Sequence, residues 1–542
     1  MSSVQNPSEI LAQLDDAQKA AVTKLVGPLA IIAGAGSGKT RTISHRIAYG
    51  IATGAYTESR VLALTYTNRA AAELRSRLRQ LGAPGVQVRT FHSAALAQLQ
   101  FFWPQLTESI APKLVTQKSA LVLEVLNAMK IRVGDTERMA LQGEIEYLRY
   151  SMFDVNDYES LGRPYLALNP VRFVEFFKNY ELLKQQKRVV DWEDAILLTI
   201  GLLRNEPRML SHVQQQYRHF TVDEYQDISP LQQALLETWL GERDELCVVG
   251  DPRQTIYSFA GATSSYLTNF DERFPHAQVL ELDSNYRSSQ EIVSLANRIA
   301  PELPLHAVRS MSAKPKLESF SSSASESVSI AKSIQELAQT EPLSSIAVLA
   351  RTNSQLAPIE AQLKKLGVEC TLKGSGRFFR RPDVMQAYAA IRAMRTLALT
   401  EPLFVEVSKI LTALGWSSQS QGTESWEALN WFMDVLDDLG NPGLEEYLRE
   451  LDEWERSGHE PSREAVTLAT IHGTKGLEWE NVFLVGLNQG IFPIGYAQTD
   501  AEKAEERRLF YVACTRAKTN LQISYSKDKG ASEFTALVDS RN

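Results

Sequence analysis

The chain has 542 residues, 44% of them hydrophobic and 23% charged, and a net charge of -8. That is apolar mass for several cores, and it excludes a disordered or fibrous polypeptide. No apolar run reaches the ~18 residues of a membrane-crossing helix, and the first ten residues lack the basic and apolar regions of a secretory signal, so a cytoplasmic location is expected. Cys247, Cys370 and Cys514 are far apart and none lies in a CxxC pair, which argues against a disulfide framework and a zinc or iron–sulfur site.

In chain order, the first clear element is the continuous apolar run Leu29-Ala30-Ile31-Ile32-Ala33, which suits a parallel strand buried on both faces. Gly34-Ala35-Gly36-Ser37-Gly38 follows, and then a helical pattern. A second run, Val61 to Leu64, leads through Thr65-Tyr66-Thr67-Asn68 into apolar positions Ala71, Leu74, Leu78 and Leu81 at helical spacing, with Gly82 as the stop. Residues from about Ala94 to Val190 read as long helices, including Lys118 to Ile131 and Arg172 to Gln186, and the aromatic run Phe101-Phe102-Trp103 reads as core. Further strands are expected at Phe220 to Val222, Leu246 to Val249, Ile346 to Ala350, Val466 to Thr470, Val482 to Val485 and Leu521 to Ser524. The serine-rich stretch Ser319 to Ser327 reads as a surface loop, and Met385 to Pro461 as a second helical insertion containing several tryptophans. Strands alternating with helices predict an α/β fold of two parallel-sheet units.

The residues after the first strand carry chemistry. In Ala33-Gly34-Ala35-Gly36-Ser37-Gly38-Lys39-Thr40, the glycines let backbone N–H groups turn toward a phosphate at a helix N-terminus. Lys39 is placed to reach the β- and γ-phosphates of ATP, and the Thr40 hydroxyl to ligate Mg²⁺. Asp223 and Glu224 emerge at the end of another strand, where open α/β sheets bind ligands. Asp223 suits metal binding, and Glu224 suits a general base acting on water. Phosphoryl transfer also needs positive charge, and Arg287 and Arg516 are candidates. From spacing alone both read equally well as structural arginines. Basic clusters at Arg69, Arg75, Arg77 and Arg79, at Arg377, Arg380 and Arg381, and at Arg507, Arg508, Arg516 and Lys518 read individually as solvated helix faces.

The order of these segments, from Leu14 to Tyr525, resembles the UvrD/Rep/PcrA family of superfamily 1A DNA helicases. Leu14 to Ala21 looks like its Q motif, which implies that Gln18 reads adenine and that Arg41 packs near the base. Thr65 to Ala71 and Thr90-Phe91-His92-Ser93 look like motifs Ia and Ib, implying single-stranded DNA contacts from Thr65, Tyr66, Asn68, Thr90 and His92. Gly250 to Phe259 looks like motif III, with Gln254 sensing the γ-phosphate and Tyr257 and Phe259 facing DNA. Asn285-Tyr286-Arg287 looks like motif IV, with Tyr286 stacked on adenine and Arg287 on the γ-phosphate. Thr470 to Glu478 looks like motif V, placing His472 and Lys475 near DNA and Glu478 near the ribose. Glu505 to Ala517 looks like motif VI, with Arg516 as the arginine finger. His92 and His472 also read as core histidines, and Tyr66 and Phe259 as core aromatics.

The resemblance implies two RecA-like domains, residues 1–93 with 191–275 and residues 276–384 with 462–542, with ATP between them and DNA across the top. Residues 94–190 form the first helical insertion, and 385–461 a reduced version of the family's duplex-contacting 2B insertion. Two departures stand out: Phe259-Ala260 replaces the usual tryptophan and arginine, and the second insertion is short. The resulting expectation is an ATP- and Mg²⁺-dependent helicase or translocase moving 3′ to 5′ on single-stranded DNA and junctions, in repair, replication or recombination, as a monomer or DNA-induced dimer. The alternatives are a translocase that strips bound proteins without unwinding duplex, and a nucleotide-switched DNA-binding module.

Overall fold

The computed structural model describes residues 6–107, 109–115, 117–163, 168–373, 378–396, 401–440, 442–456 and 464–539. Arg377 and the last residues of the second insertion, 457–461, lie outside these. By contact the chain divides into two compact units, Met1–Ala33 with Lys39–Leu282, and Gly34–Gly38 with Asp283–Asn542.

The first unit contains β1 (Leu29–Ala33), β2 (Val61–Thr65), β3 (Gln87–Thr90), β4 (Lys113–Leu114), β5 (Val189–Val190), β6 (His219–Val222), β7 (Leu246–Gly250) and β8 (Gln278–Leu282). The short β4 and β5 pair with each other, and the other six form one sheet in the order β3-β2-β6-β7-β1-β8. Its neighbouring strands are parallel throughout. The continuous apolar runs are explained by this: β2 and β7 are buried along their whole length. Alternate residues serve opposite faces. Leu29, Ile31 and Ala33 pack with Ile43, Ile47 and Leu74 on one side, while Ala30 packs with Phe220, Leu235 and Trp239 on the other.

The predicted helix after β2 spans Asn68–Gln80, and Gly82 follows it at φ 80°. In the run Phe101-Phe102-Trp103, only Phe102 is fully buried; Phe101 is exposed and stacks on His212. Helices Lys118–Ala128, Asp135–Ser151 and Pro170–Lys187 form a separate core around Phe173, Phe176 and Tyr180. Beside it, buried Lys118 pairs with Glu193 at 2.7 Å, and buried Lys184 with Asp191 at 2.9 Å and Asp194 at 2.6 Å. Buried charges of this kind are retained when paired, because removing one partner strands the other in low dielectric.

The second unit contains β9 (Ser284–Asn285), β10 (His306–Ala307), β11 (Lys316–Phe320), β12 (Ile346–Ala350), β13 (Cys370–Leu372), β14 (Val466–Thr470), β15 (Trp479–Leu484) and β16 (Ala517–Ser526). Six of these form a second parallel sheet in the order β11-β16-β15-β12-β14-β13. The serine-rich stretch is not a loop. It spans the end of β11 and the start of helix Ser323–Leu337. The serines make the helix cap: Ser322 Oγ accepts from Ser325 N at 3.2 Å and Ser325 Oγ from Ser322 N at 3.0 Å. Helices Pro382–Ala393, Leu403–Ala413, Glu424–Asp438 and Leu444–Arg456 have a core of their own around Trp431, Phe432 and Tyr447. Among the described residues no helix is long and apolar enough to cross a membrane.

Candidate nucleotide and nucleic-acid sites

The loop after β1 has the backbone of a phosphate cradle. Gly36 and Gly38 take φ of 70° and 81°, a region that side chains disfavour. Ser37 Oγ donates to Gly34 O at 2.9 Å and closes the turn. Helix Lys39–Ala52 begins directly afterwards with no acidic residue in its first turn, and the positive end of its dipole favours an anion there. Lys39 Nζ donates to Ala33 O at 3.1 Å, and Thr40 is half-buried in the same first turn. Gln18 is buried in a capping box: Asp15 Oδ1 accepts from Gln18 N at 2.7 Å, and Gln18 Oε1 accepts from Asp15 N at 3.3 Å. Arg41 donates to Gln13 O at 2.8 Å.

The acidic pair sits at the end of β6. Asp223 N donates to Leu64 O at 2.8 Å and its Oδ1 accepts from Glu224 N at 2.9 Å. Glu224 has φ 54°, a left-handed conformation that a non-glycine residue holds only when its surroundings enforce it. Fully buried Gln226 supplies part of that enforcement: its Nε2 donates to Glu224 Oε2 at 2.6 Å and to Asp227 Oδ2 at 3.3 Å. Gln226 Oε1 accepts from Asp251 N at 3.1 Å. Asp251 Oδ2 in turn accepts from Gln254 Nε2 at 2.9 Å. Sequence reasoning named Glu224 and Gln254 but missed Gln226 and Asp251, which connect them.

Three predicted DNA residues form an aromatic row. Tyr66 and Tyr257 stack with centroids 5.3 Å apart, and Tyr257 lies 6.1 Å from Phe259. Phe259 is 55% exposed and Tyr66 37%, so neither is a core aromatic. Asn68 opens its helix and is half-buried. The Thr65 and Thr90 side chains, by contrast, are buried and shape turns, Thr65 Oγ1 donating to Thr67 O at 3.0 Å and Thr90 Oγ1 to Ser93 Oγ at 3.1 Å. His92 Nε2 lies 2.9 Å from the Tyr150 hydroxyl, a partner that sequence spacing did not reveal.

In the second unit, Arg287 Nε pairs with Glu478 Oε2 at 2.5 Å, and Lys518 Nζ lies 3.0 Å from Glu478 Oε1. Burial acts to raise the Glu478 carboxyl, but Arg287 and Lys518 outweigh it and hold the group below the usual carboxylate range. Tyr286 is exposed. Arg516 is fully buried, with Nε donating to Val512 O and Nη1 to Leu477 O, each at 3.1 Å. His472 is pushed down to about 4 by burial, with Arg351 adding to the effect. Lys475 is half-buried on the same segment.

Two parallel sheets, with a glycine-rich phosphate loop after β1 of the first and an acidic pair after its β6, define a P-loop NTPase. Residues 14–275 match the family model described as the UvrD/REP helicase N-terminal domain, and residues 280–400 and 395–528 that of the UvrD-like helicase C-terminal domain. The chain is 37% identical to the ATP-dependent DNA helicase UvrD2 of Mycobacterium tuberculosis (strain ATCC 25618 / H37Rv) over 95% of its own length and 79% of the relative's. It is 26% identical to the ATP-dependent DNA helicase PcrA of Bacillus subtilis (strain 168), over 96% and 84% of the two chains. The chain belongs to the UvrD-like helicase family and is an enzyme of that class.

Proposed function

We propose that this protein is an ATP-dependent DNA helicase that moves 3′ to 5′ on single-stranded DNA. The observation that carries this reading is the segment from Asp251 to Phe259. At one end Gln254 is tied through Asp251 and Gln226 to Glu224, and at the other half-buried Tyr257 and exposed Phe259 belong to the aromatic row. One short segment thus joins a hydrolytic carboxylate to a surface on which bases can stack, and stacking suits movement along any sequence.

In this reading the loop N–H groups and Lys39 hold the phosphates, and Glu224 takes a proton from the attacking water. Gln254 senses the γ-phosphate, and Arg287 and Arg516 supply charge to the transferred group. Gln18, Arg41, Tyr286 and Glu478 recognise the nucleoside. Thr40 and Asp223 are hard oxygen donors that fit Mg²⁺, which when bound neutralises phosphate charge. On the DNA side, Tyr66, Asn68, His92, Tyr257, Phe259, His472 and Lys475 contact the strand. The polarity is tested by timing arrival of the motor at a fluorophore on the 3′ or the 5′ end of an oligonucleotide. Arrival at the 5′ end supports the reading, and arrival at the 3′ end reverses it.

A second reading, translocation without unaided unwinding, is favoured by the charge of the second insertion. Residues 385–461 contain fourteen acidic and five basic residues, a net charge of -9 against -8 for the whole chain. Such a surface repels the phosphates of a duplex rather than gripping them.

A further inference from the structure

The amide of Gln226 joins two loops that the proposed chemistry needs to act together. Its side chain is fully buried between the end of β6 and the end of β7. The orientation of the amide is fixed from both sides. Its nitrogen faces two carboxylates, Glu224 Oε2 at 2.6 Å and Asp227 Oδ2 at 3.3 Å, while its oxygen faces the Asp251 N–H at 3.1 Å. Flipping the amide would set an oxygen against both carboxylates.

Two further features hold it there. A Cβ on Gly250 would come within 2.4 Å of Gln226 Oε1 and 2.7 Å of Leu267 Cδ2, so the end of β7 is kept bare where the amide packs. The Gln226 carbonyl accepts from Thr255 Oγ1 at 3.4 Å, a second tie to the same downstream segment. That segment holds Gln254 at one end and, at the other, half-buried Tyr257 and exposed Phe259.

We infer that Gln226 is a positioning residue through which DNA on Tyr257 and Phe259 sets the orientation of Glu224. The inference rests on the reading of the protein as a DNA-stimulated ATPase. When bases engage the aromatic row, the 251–259 segment moves. The Asp251 N–H carries the amide oxygen with it, and the amide nitrogen turns the Glu224 carboxylate toward the water it activates. Gln226 itself touches neither nucleotide nor DNA. The effect of losing it is therefore on turnover under DNA saturation and not on the binding of either ligand.

The test is steady-state ATP hydrolysis by the full chain with and without oligo-dT, comparing wild type with Gln226→Met, which keeps the volume and removes all three bonds of the amide. Gln226→Glu is the second variant: it keeps an acceptor for Asp251 N–H but sets a carboxylate against Glu224. The expected result for both is a kcat with DNA reduced on the order of tenfold or more and a lower ratio of DNA-stimulated to basal rate. The KM for ATP and the half-saturating oligo-dT concentration stay within about twofold. Unchanged stimulation in either folded variant overturns the inference, and so do losses in KM, DNA affinity and kcat together. Wild type that hydrolyses ATP without responding to DNA overturns the underlying reading instead.

Discussion

Tyr66 and Tyr257 stack with ring centroids 5.3 Å apart and planes inclined by 17°, although 191 residues separate them and each follows the C-terminal end of a different strand. Parallel sheets gather such loop residues along one edge, where ligands bind. The row continues through Phe259. Removing a ring costs ~1–3 kcal/mol per stacked base. Tyr257→Ala and Phe259→Ala are therefore expected to weaken single-stranded DNA binding in fluorescence anisotropy titrations while leaving ATP affinity unchanged. Ala260→Arg adds a cation beside the row. It is expected to tighten binding and to steepen the salt dependence by about one unit of log K against log salt.

Lys39→Ala is expected to abolish ATP hydrolysis. Glu224→Gln is expected to do the same while retaining nucleotide and DNA binding, because it removes the base and keeps the shape. A phosphate-release assay alongside nucleotide titration separates the two. Robust turnover in Lys39→Ala contradicts the placement of the phosphates.

Arg516→Ala is expected to slow hydrolysis by roughly 10³-fold, as for an arginine finger, with little change in the affinity of a non-hydrolysable ATP analogue. The side chain is also a buried donor to two backbone carbonyls, so some loss of thermal stability accompanies the change. Arg516→Lys separates the roles, since lysine keeps the charge but not the planar fork. Equal losses of kcat and nucleotide affinity would assign Arg516 to structure alone.

His219 gives a pH prediction. Its ring stacks on Tyr56 at 4.1 Å. Burial foremost pushes it down to about 4, opposed by Glu245 and aided by Arg218, Arg46 and Arg243. Between about 6.5 and 4 the unfolded chain therefore binds the proton that the folded chain refuses, and stability falls as the pH is lowered through that window. His219→Phe keeps the stacking and removes the titration. Its urea midpoint is expected to fall less than that of wild type between pH 7 and pH 5, the slopes differing by at most about 1.4 kcal/mol per pH unit. Parallel profiles would contradict the assignment.

The sheets and the phosphate loop were legible because burial on both faces demands continuous apolar runs and a tight turn demands glycine. Leu29–Ala33 and Gly34–Gly38 announce themselves in those terms. The serine stretch before Ile330 misled because capping serines and loop serines have the same composition and differ only in which backbone N–H they meet. Gln226 was silent because a lone glutamine has no periodicity, and its meaning depends on Asp251, which β7 brings beside it. The left-handed backbone of Glu224 was equally invisible, since a glutamate, unlike glycine or asparagine, carries no signal of positive φ in sequence. Thr65 and Thr90 matched a DNA-contact pattern, yet their hydroxyls close local turns. The burial of Arg516 is likewise a product of packing that spacing does not encode.

The central claim is that ATP hydrolysis drives directed movement on a DNA strand, and strand separation on duplexes carrying a single 3′ or 5′ tail tests it most directly, with hydrolysis recorded in parallel. The account predicts ATP-dependent activity that requires the 3′ tail and disappears in Glu224→Gln. Separation from the 5′ tail alone, or hydrolysis indifferent to either tail, would contradict it.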